Sequence, residues 1–557
     1  MKIQNRNHFP KITRSIFLIV VATTFSGRIF AQDTTINLVT NAANARLQTN
    51  RITDPTLRPR AAESKALIDA AVAKLPPIPP GPFQPTWESI RANYQDPDWF
   101  RDGKFGIMMH WGVYSVPAHG SEWYERYMYD AKNTGFVRWH TEHFGPPPQF
   151  GYKDFFPMFT AAKWDPDAWA QLFKDAGAKY VIASGEHHDG FSNWKSDINK
   201  FNAFNYGPHR DLVGDLMAAV RKKGLKAGVA NHSNNHFDWV TPMPGTDQFD
   251  TNWSAFYSVA DRSPAAHIKF FETWVTKNLE LIDKYQPDML WFDMNGGDRS
   301  WDPLKVRLAA YYYNRAAAWG KQVAISAKGD SFLAGIVMDY ERQGRAPKQL
   351  VDFPWQPDDP IADKFGYVEV DDPKNPGHLV PLPVKSPAGL VHNLVMNVSR
   401  NGNLLLNISP RADGTIPDAQ QQVLLAIGKW LGVNGDAIYG TRPWKISEEG
   451  SVHFTTKPDT LYAITLNWPT NELVIHALGK NNLPDGKIEK IELLGHNGAL
   501  EFTQDADDLK IKFPAEKPCD FAYALKITGL KITRNTTTST SPLPTNSNPA
   551  TPEVIPQ

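Results

Sequence analysis

DPDAWAQLFKDAGAKYVIASGEHHDG, residues 165–190, holds one full cycle of the pattern that organises this chain. Asp165 can cap a helix by accepting a free backbone N–H, Pro166 suits its first turn, and Gly177 suits its end. Between them Trp169, Leu172, Phe173 and Ala176 recur at helical spacing. An apolar strand, Lys179 to Ser184, follows at once and runs into the polar cluster Glu186-His187-His188-Asp189.

The same cycle extends in both directions. Upstream, Lys104 to His110 is a short apolar run ending in His110 and Trp111. Downstream, Asp211 opens a helix with Leu212, Leu216, Ala219 and Val220 on one face, and Gly224 closes it before the strand Leu225 to Ala230. A helix through Phe270, Trp274, Leu281 and Ile282 leads to the strand Asp288 to Asp293. Asp302-Pro303 starts the next helix, Gly320 stops it, and Gln322 to Ser326 is a strand. Val337 to Tyr340 and Asn403 to Ile408 read as further strands, and Asp418 to Leu431 as a helix. This repetition predicts an α/β fold, a (β/α)8 TIM-like barrel over residues 84–444. A doubly wound open sheet is the alternative, but no glycine-rich phosphate loop follows any strand.

After Trp444 the segments become short and strand-like, as in Leu461 to Leu466, Leu473 to Ala477, Ile488 to Leu494 and Leu509 to Phe513. Turn residues such as Pro484-Asp485-Gly486 separate them, predicting an antiparallel β-sandwich over 445–534. Residues 535–557 are rich in Thr, Ser, Pro and Asn and read as a disordered tail. At the other end, Lys2, Arg6, Lys11 and Arg14 precede the apolar run Ile16 to Thr24, and Ala31 offers a small residue for cleavage. Residues 1–32 therefore read as a secretory signal, with an uncleaved anchor as the alternative. Residues 33–83 read as a leader with one helix, Ala61 to Leu75, before the proline-rich run 76–80.

Composition narrows the function classes. Lys+Arg and Asp+Glu both number 59, so there is no basic footprint for nucleic acid. Cys519 is the sole cysteine, so no intrachain disulfide forms. Export without disulfides suits a bacterial periplasmic or secreted protein. No membrane insertion is expected once the signal is cleaved. Aromatics at 12%, with 18 Trp, serve a large core or the apolar faces of sugar rings equally well.

In a barrel, functional groups collect where strands end. Those positions hold His110, the 186–189 cluster, Asn231 with His232, Asp293, and Asp339 with Glu341. Histidines, carboxylates and tryptophans converging from separate strands can bond several hydroxyls and cover an apolar face. Asp293 ends the apolar run Met289-Leu290-Trp291-Phe292, where a partly desolvated carboxylate can attack an anomeric carbon. The bland reading is a loop carboxylate capping the next helix. Neighbouring strand residues point to opposite faces, so His187 and His188 read as one pocket and one structural histidine unless the chain bends. A metal reading would join His110, His187 or His188, His232 and Asp293, but no His-x-His or helical His pair supports it.

Longer motifs add to this. Trp99 to Ile107 leading into His110-Trp111-Gly112 resembles the opening barrel strand of the α-L-fucosidases of glycoside hydrolase family 29. Ser121-Glu122-Trp123-Tyr124, the run from Glu186 to Trp194, and Arg210 to Gly214 resemble the same family. So do Trp291-Phe292-Asp293, Asn401 to Asn407, and Asn434 to Trp444. The resemblance spans about residues 95–445 in order. It implies a retaining exo-glycosidase that removes terminal α-L-fucose from oligosaccharides or polysaccharides, with no metal or cofactor. It also implies Asp293 as nucleophile, sugar contacts at His110, Glu122, Trp123, His187, His188 and Trp291, and Phe365 near the sugar's methyl group. The acid/base is expected at Glu341, with Asp339, Asp352 and Glu369 as alternatives; the family's basic partner ahead of this Glu is not evident unless Lys328 supplies it. The sequence departs from the family where the third strand ends, with Ala230-Asn231-His232-Ser233 in place of a tyrosine-rich end. Asn231 is taken as a pocket residue there, and a more polar wall leaves L-galactose open as the substrate. A catalytically inactive sugar-binding barrel is the reading from another class.

Overall fold

The structure, a computed structural model, describes residues 62–294, 299–483 and 486–532. The expected signal segment, most of the leader and the expected tail lie outside the described residues. Helix α1 (Ala62–Lys74) packs on the outside of a closed barrel. Its Ile68 and Ala71 join the core between barrel and helices, and the Phe83 N–H donates to Asn314 Oδ1 at 3.0 Å. Residues 62–83, read from the sequence as a leader, are thus part of the outer layer of the barrel.

The barrel follows as β1 (Phe105–Met109), α2 (Pro166–Asp175), β2 (Tyr180–Glu186), α3 (Leu212–Lys222), β3 (Lys226–Asn231), α4 (Pro264–Tyr285) and β4 (Met289–Phe292). It continues with α5 (Asp302–Ala318), β5 (Ala324–Lys328), β6 (Ile336–Glu341), β7 (Trp355–Pro360), α6 (Pro387–Ser399), β8 (Leu404–Ile408) and α7 (Asp418–Asn434). The strands close in the order β1-β8-β7-β6-β5-β4-β3-β2, with parallel pairing. The sequence signals act as read. The Asp165 carboxylate accepts the N–H groups of Asp167 and Ala168, at 2.9 and 3.0 Å. Asp211 accepts from Gly214 at 2.9 Å. Trp169, Ala170 and Phe173 turn inward from α2.

Strand alternation sorts each barrel residue to one of two cores. Met108, Tyr180, Ile182, Ala230, Met289, Trp291, Ala324, Val337 and Leu405 fill the barrel interior. Ile107, Val181, Val229, Leu290, Ile325, Met338 and Leu406 pack outward under the helices. Each large apolar side chain so buried contributes roughly 1.5–3 kcal/mol before entropy is counted.

The strand–helix alternation lapses in the second half. Between β5 and β6, and between β6 and β7, the described chain turns back without an α-helix. Strand β7 was not legible in the sequence, because Trp355-Gln356-Pro357-Asp358-Asp359-Pro360 has neither an apolar run nor turn-free composition. All six residues are nonetheless buried, and polar partners make that possible. Tyr180 OH donates to Gln356 Oε1 at 2.8 Å, and Gln356 Nε2 donates to Ser326 Oγ at 3.0 Å, both inside the barrel. On the outer face Asp359 takes Lys385 Nζ at 2.7 Å and the Gln343 N–H at 3.0 Å.

The C-terminal strands are β9 (Arg442–Glu449), β10 (Val452–Lys457), β11 (Thr460–Thr465), β12 (Glu472–Ile475), β13 (Gly486–Leu493), β14 (Phe502–Gln504), β15 (Leu509–Lys512) and β16 (Tyr523–Leu530). They form one antiparallel sheet ordered β9-β10-β11-β16-β13 and another ordered β12-β15-β14. Both sheets share an apolar core that includes Phe454, Leu461, Ile475, Ile491, Ile511 and Leu525. No described helix is long and apolar enough to cross a membrane.

Candidate active site

The inward register of the strands continues into the mouth of the barrel. Counting in twos from Met108, Ala230, Trp291, Ser326, Val337, Gln356 and Leu405 reaches His110, His232, Asp293, Lys328, Asp339 with Glu341, Asp358 and Asn407. One polar residue from nearly every strand therefore faces the same space.

Strand β2 reaches that space by a bulge. Its pairing with β3 slips between Ser184 and Glu186, which turns the Glu186 carboxylate outward to Lys277 of α4. Gly185 permits this, since a Cβ there would lie 2.5 Å from the Ala230 carbonyl oxygen. The chain then turns, with the Gly190 N–H donating to the His187 carbonyl at 3.1 Å. This is the bend that both histidines need to face one space. His187 packs its ring against those of His110 and His232, at 5.4 and 5.0 Å, and His188 Nε2 lies 3.1 Å from Asp293 Oδ2.

Asp293 is only 21% exposed. Burial alone would raise its pKa, but Lys328 and His188 outweigh it and hold the carboxyl well below its usual range. Lys328 Nζ sits 2.8 Å from Asp293 Oδ1, 3.6 Å from Glu341 Oε2 and 3.4 Å from Asp358 Oδ2. Burial would lower the lysine, yet those carboxylates raise it well above its ordinary value. One ammonium thus lies within 3.6 Å of both the Asp293 and the Glu341 carboxylate. Glu341 is 28% exposed and also meets Arg345 at 3.4 Å. Beneath them Asp339 accepts the Trp291 indole N–H at 2.8 Å and contacts Asp358. Burial raises both carboxyls, most strongly Asp358, against the pull of Lys328.

On the opposite side, burial lowers His110 and pushes His187 and His232 well below the usual histidine range. His110 Nδ1 meets Asn407 Oδ1 at 2.7 Å, and Asn407 Nδ2 donates to the Phe365 carbonyl at 2.8 Å. That chain fixes the histidine and also sets the Phe365 ring 4.9 Å from it. Glu122 Oε2 accepts the Gly366 N–H at 3.1 Å, tying the loop after β1 to the Phe365 loop. Trp123 lies at the rim against Trp239, whose ring covers His188 at 4.2 Å.

Asn231 does not face the pocket. It lies on the outer face of β3, where its amide contacts Asn278 of α4 and its Oδ1 accepts from the Ser233 backbone and hydroxyl. His232, one residue on, takes the inward place beside Trp291, with ring centroids 4.9 Å apart. Of the alternatives to Glu341, Asp339 is held by Trp291, Asp352 is exposed ahead of β7, and Glu369 is bonded by Tyr367 OH. Asp358, Asn407 and Trp239 were not singled out from the sequence. Asn407 was legible by counting in twos along its strand, whereas Asp358 required knowing that β7 is a strand.

Comparison with known proteins places the chain in a family. The α-L-fucosidase family model matches residues 71–436, and the model of the α-L-fucosidase C-terminal domain matches 447–528. Tissue α-L-fucosidase of Mus musculus is 34% identical over 467 residues, covering 81% of this chain and 96% of the mouse protein. Plasma α-L-fucosidase of Homo sapiens is 32% identical over 484 residues, covering 80% and 93%. The Thermotoga maritima α-fucosidase solved with a mechanism-based inhibitor superposes with a TM-score of 0.66 at 33% identity, covering 80% of this chain and 100% of that one. Barrel and C-terminal domain are both matched, in order and over most of the length of these relatives, and the chain belongs to the α-L-fucosidase family.

Proposed function

We propose that this α-L-fucosidase family glycoside hydrolase releases terminal α-L-fucosyl residues by a double displacement, with Asp293 as nucleophile and Glu341 as acid/base. The observation that carries the reading is the Lys328 ammonium, which joins both carboxylates across the mouth of the barrel. In the first step an Asp293 oxygen bonds to the anomeric carbon as the glycosidic C–O bond breaks, and Glu341 gives its proton to the leaving oxygen. In the second, Glu341 takes a proton from water, the water oxygen bonds to the anomeric carbon, and the ester bond to Asp293 breaks. Two inversions leave the α configuration. Lys328 and His188 favour the anionic form of Asp293, both as attacking and as departing group.

His110, His187 and His188, with Glu122, Trp123, Trp291 and Phe365, supply the hydrogen bonds and apolar faces for the sugar. The Thermotoga maritima relative has been solved with fucose bound, which supports the same sugar here. We further propose residues 84–444, with the 62–83 segment packed on them, as the catalytic domain and 445–534 as an accessory domain, with export directed by residues 1–32. The basic and then apolar order of that N-terminal segment supports a periplasmic or secreted location.

The test is hydrolysis of an aryl α-L-fucoside followed by NMR. Expected is release of the phenol with α-L-fucose as the first-formed sugar. A first-formed β anomer would overturn the double displacement. Equal or better turnover of the aryl α-L-galactoside would replace fucose as the substrate, and no turnover of either by folded protein would leave a binding barrel.

A further inference from the structure

We infer that His110, His187 and His232 form a site for one divalent transition-metal ion of the zinc or cobalt class, which on binding excludes the sugar. One ligand nitrogen from each of the three buried rings lies within 4.8 Å of the others. The second nitrogens show that the rings are preset. His110 Nδ1 faces Asn407 Oδ1 at 2.7 Å, and the Asn407 amide is oriented by its own bond to Phe365 O, so His110 Nδ1 must donate. His232 Nδ1 faces the Glu186 carbonyl at 3.3 Å and is likewise a donor. Both Nε2 atoms then carry lone pairs, the arrangement in which a metal-binding imidazole gives its other N–H to an oxygen.

Two of the nitrogens have no partner. His232 Nε2 and His187 Nδ1 are buried without a hydrogen bond. The residues are 0% and 4% exposed, so an unpaired polar nitrogen there calls for a ligand. Asp293 places negative charge beside all three rings and offsets the Lys328 charge felt at His110 and His232. Three imidazoles with an open fourth position are a donor set suited to zinc or cobalt.

The site overlaps the sugar pocket proposed above, yet its test needs no turnover. Co²⁺ is titrated into the full chain, freed of metal by chelator, and followed by visible absorption. Expected is one Co²⁺ per chain with the intense band of a tetrahedral site, displaced by saturating L-fucose. His232→Phe and His187→Gln should each weaken Co²⁺ binding by about tenfold or more. A pale octahedral spectrum, or a band that survives both substitutions, would overturn the site. A band that persists under L-fucose would overturn the exclusion, and displacement is read on the unaltered chain whatever the variants do to folding. An inactive protein that binds Co²⁺ in this way would overturn the hydrolase reading alone.

Discussion

On the β1–β3 side of the pocket, His110, His187 and His232 present rings that burial keeps uncharged. On the β5–β7 side, Lys328, Glu341 and the Asp339–Asp358 pair present charge at close range, and Asp293 stands at the seam on β4. The same burial acts on both walls. It neutralises the histidines because no carboxylate touches them closely enough to repay desolvation. It leaves Lys328 and Asp293 ionised because each is the other's counter-ion at 2.8 Å. The neutral wall is suited to recognising hydroxyls, which exchange one hydrogen bond for another at little net cost. The charged wall is suited to bond breaking, where charge develops in a dry site.

Four substitutions test that division, beginning with the seam. Asp293→Gly should lower kcat on an aryl α-L-fucoside by about 10⁴-fold or more, with azide restoring turnover as β-fucosyl azide. Rescue giving an α azide would remove Asp293 as nucleophile. Glu341→Ala should cost about 10²–10⁴-fold on substrates with poor leaving groups and far less on activated aryl fucosides. A loss independent of the leaving group would move the acid elsewhere.

Lys328→Met should cost about 10²-fold and shift the pH profile. Lys328 is what pulls Asp293 down against burial, so its loss raises that carboxyl. The acid limb of kcat/KM should therefore move to higher pH. An unmoved limb would mean that His188 alone keeps Asp293 ionised. On the neutral wall, His187→Gln retains a hydrogen-bonding group without a titrating ring. We expect about a tenfold rise in KM with the same acid limb, measured alongside the Lys328 variant. If both variants moved the limb, the two walls would be one electrostatic unit.

The smallest effect concerns stability. The folded pKa values of His187 and His232 lie below the unfolded value of about 6.5. Below that pH the unfolded chain takes up protons that the folded chain refuses, so stability falls as pH falls. Each ring accounts for at most about 2 kcal/mol of this at pH 5. His187→Gln should accordingly show a shallower drop in Tm between pH 7 and pH 5 than the unaltered chain. An equal slope would place the lost protons elsewhere.

The two walls also differed in how readily they could be read. Strands β1 to β4 announce themselves as apolar runs bounded by capped helices, and the polar residues ending them are found by position. The second half offers less. Strand β5 ends two residues later than its apolar run suggests, which is how Lys328 becomes a strand-end residue. Strand β7 is polar and carries two prolines, and it is buried only because Tyr180, Ser326 and Lys385 from elsewhere satisfy it. Asn231 was misplaced by one residue, since a strand end does not reveal which of two neighbours turns inward.

The sequence alone determined the alternation of strands and helices, the two-residue register that aims one polar side chain per strand inward, and the motifs that carry the family. These are local properties, set by propensity, capping and periodicity within a few residues. Only the closed barrel decided which of those side chains meet. Lys328 reaches Asp293, Glu341 and Asp358 because β4 to β7 are hydrogen-bonded neighbours. The bulge at Gly185 brings both His187 and His188 into one pocket. Protonation states belong to that second category as well, because they depend on how far water is excluded and which charge lies opposite, and neither exists until distant strands have packed together.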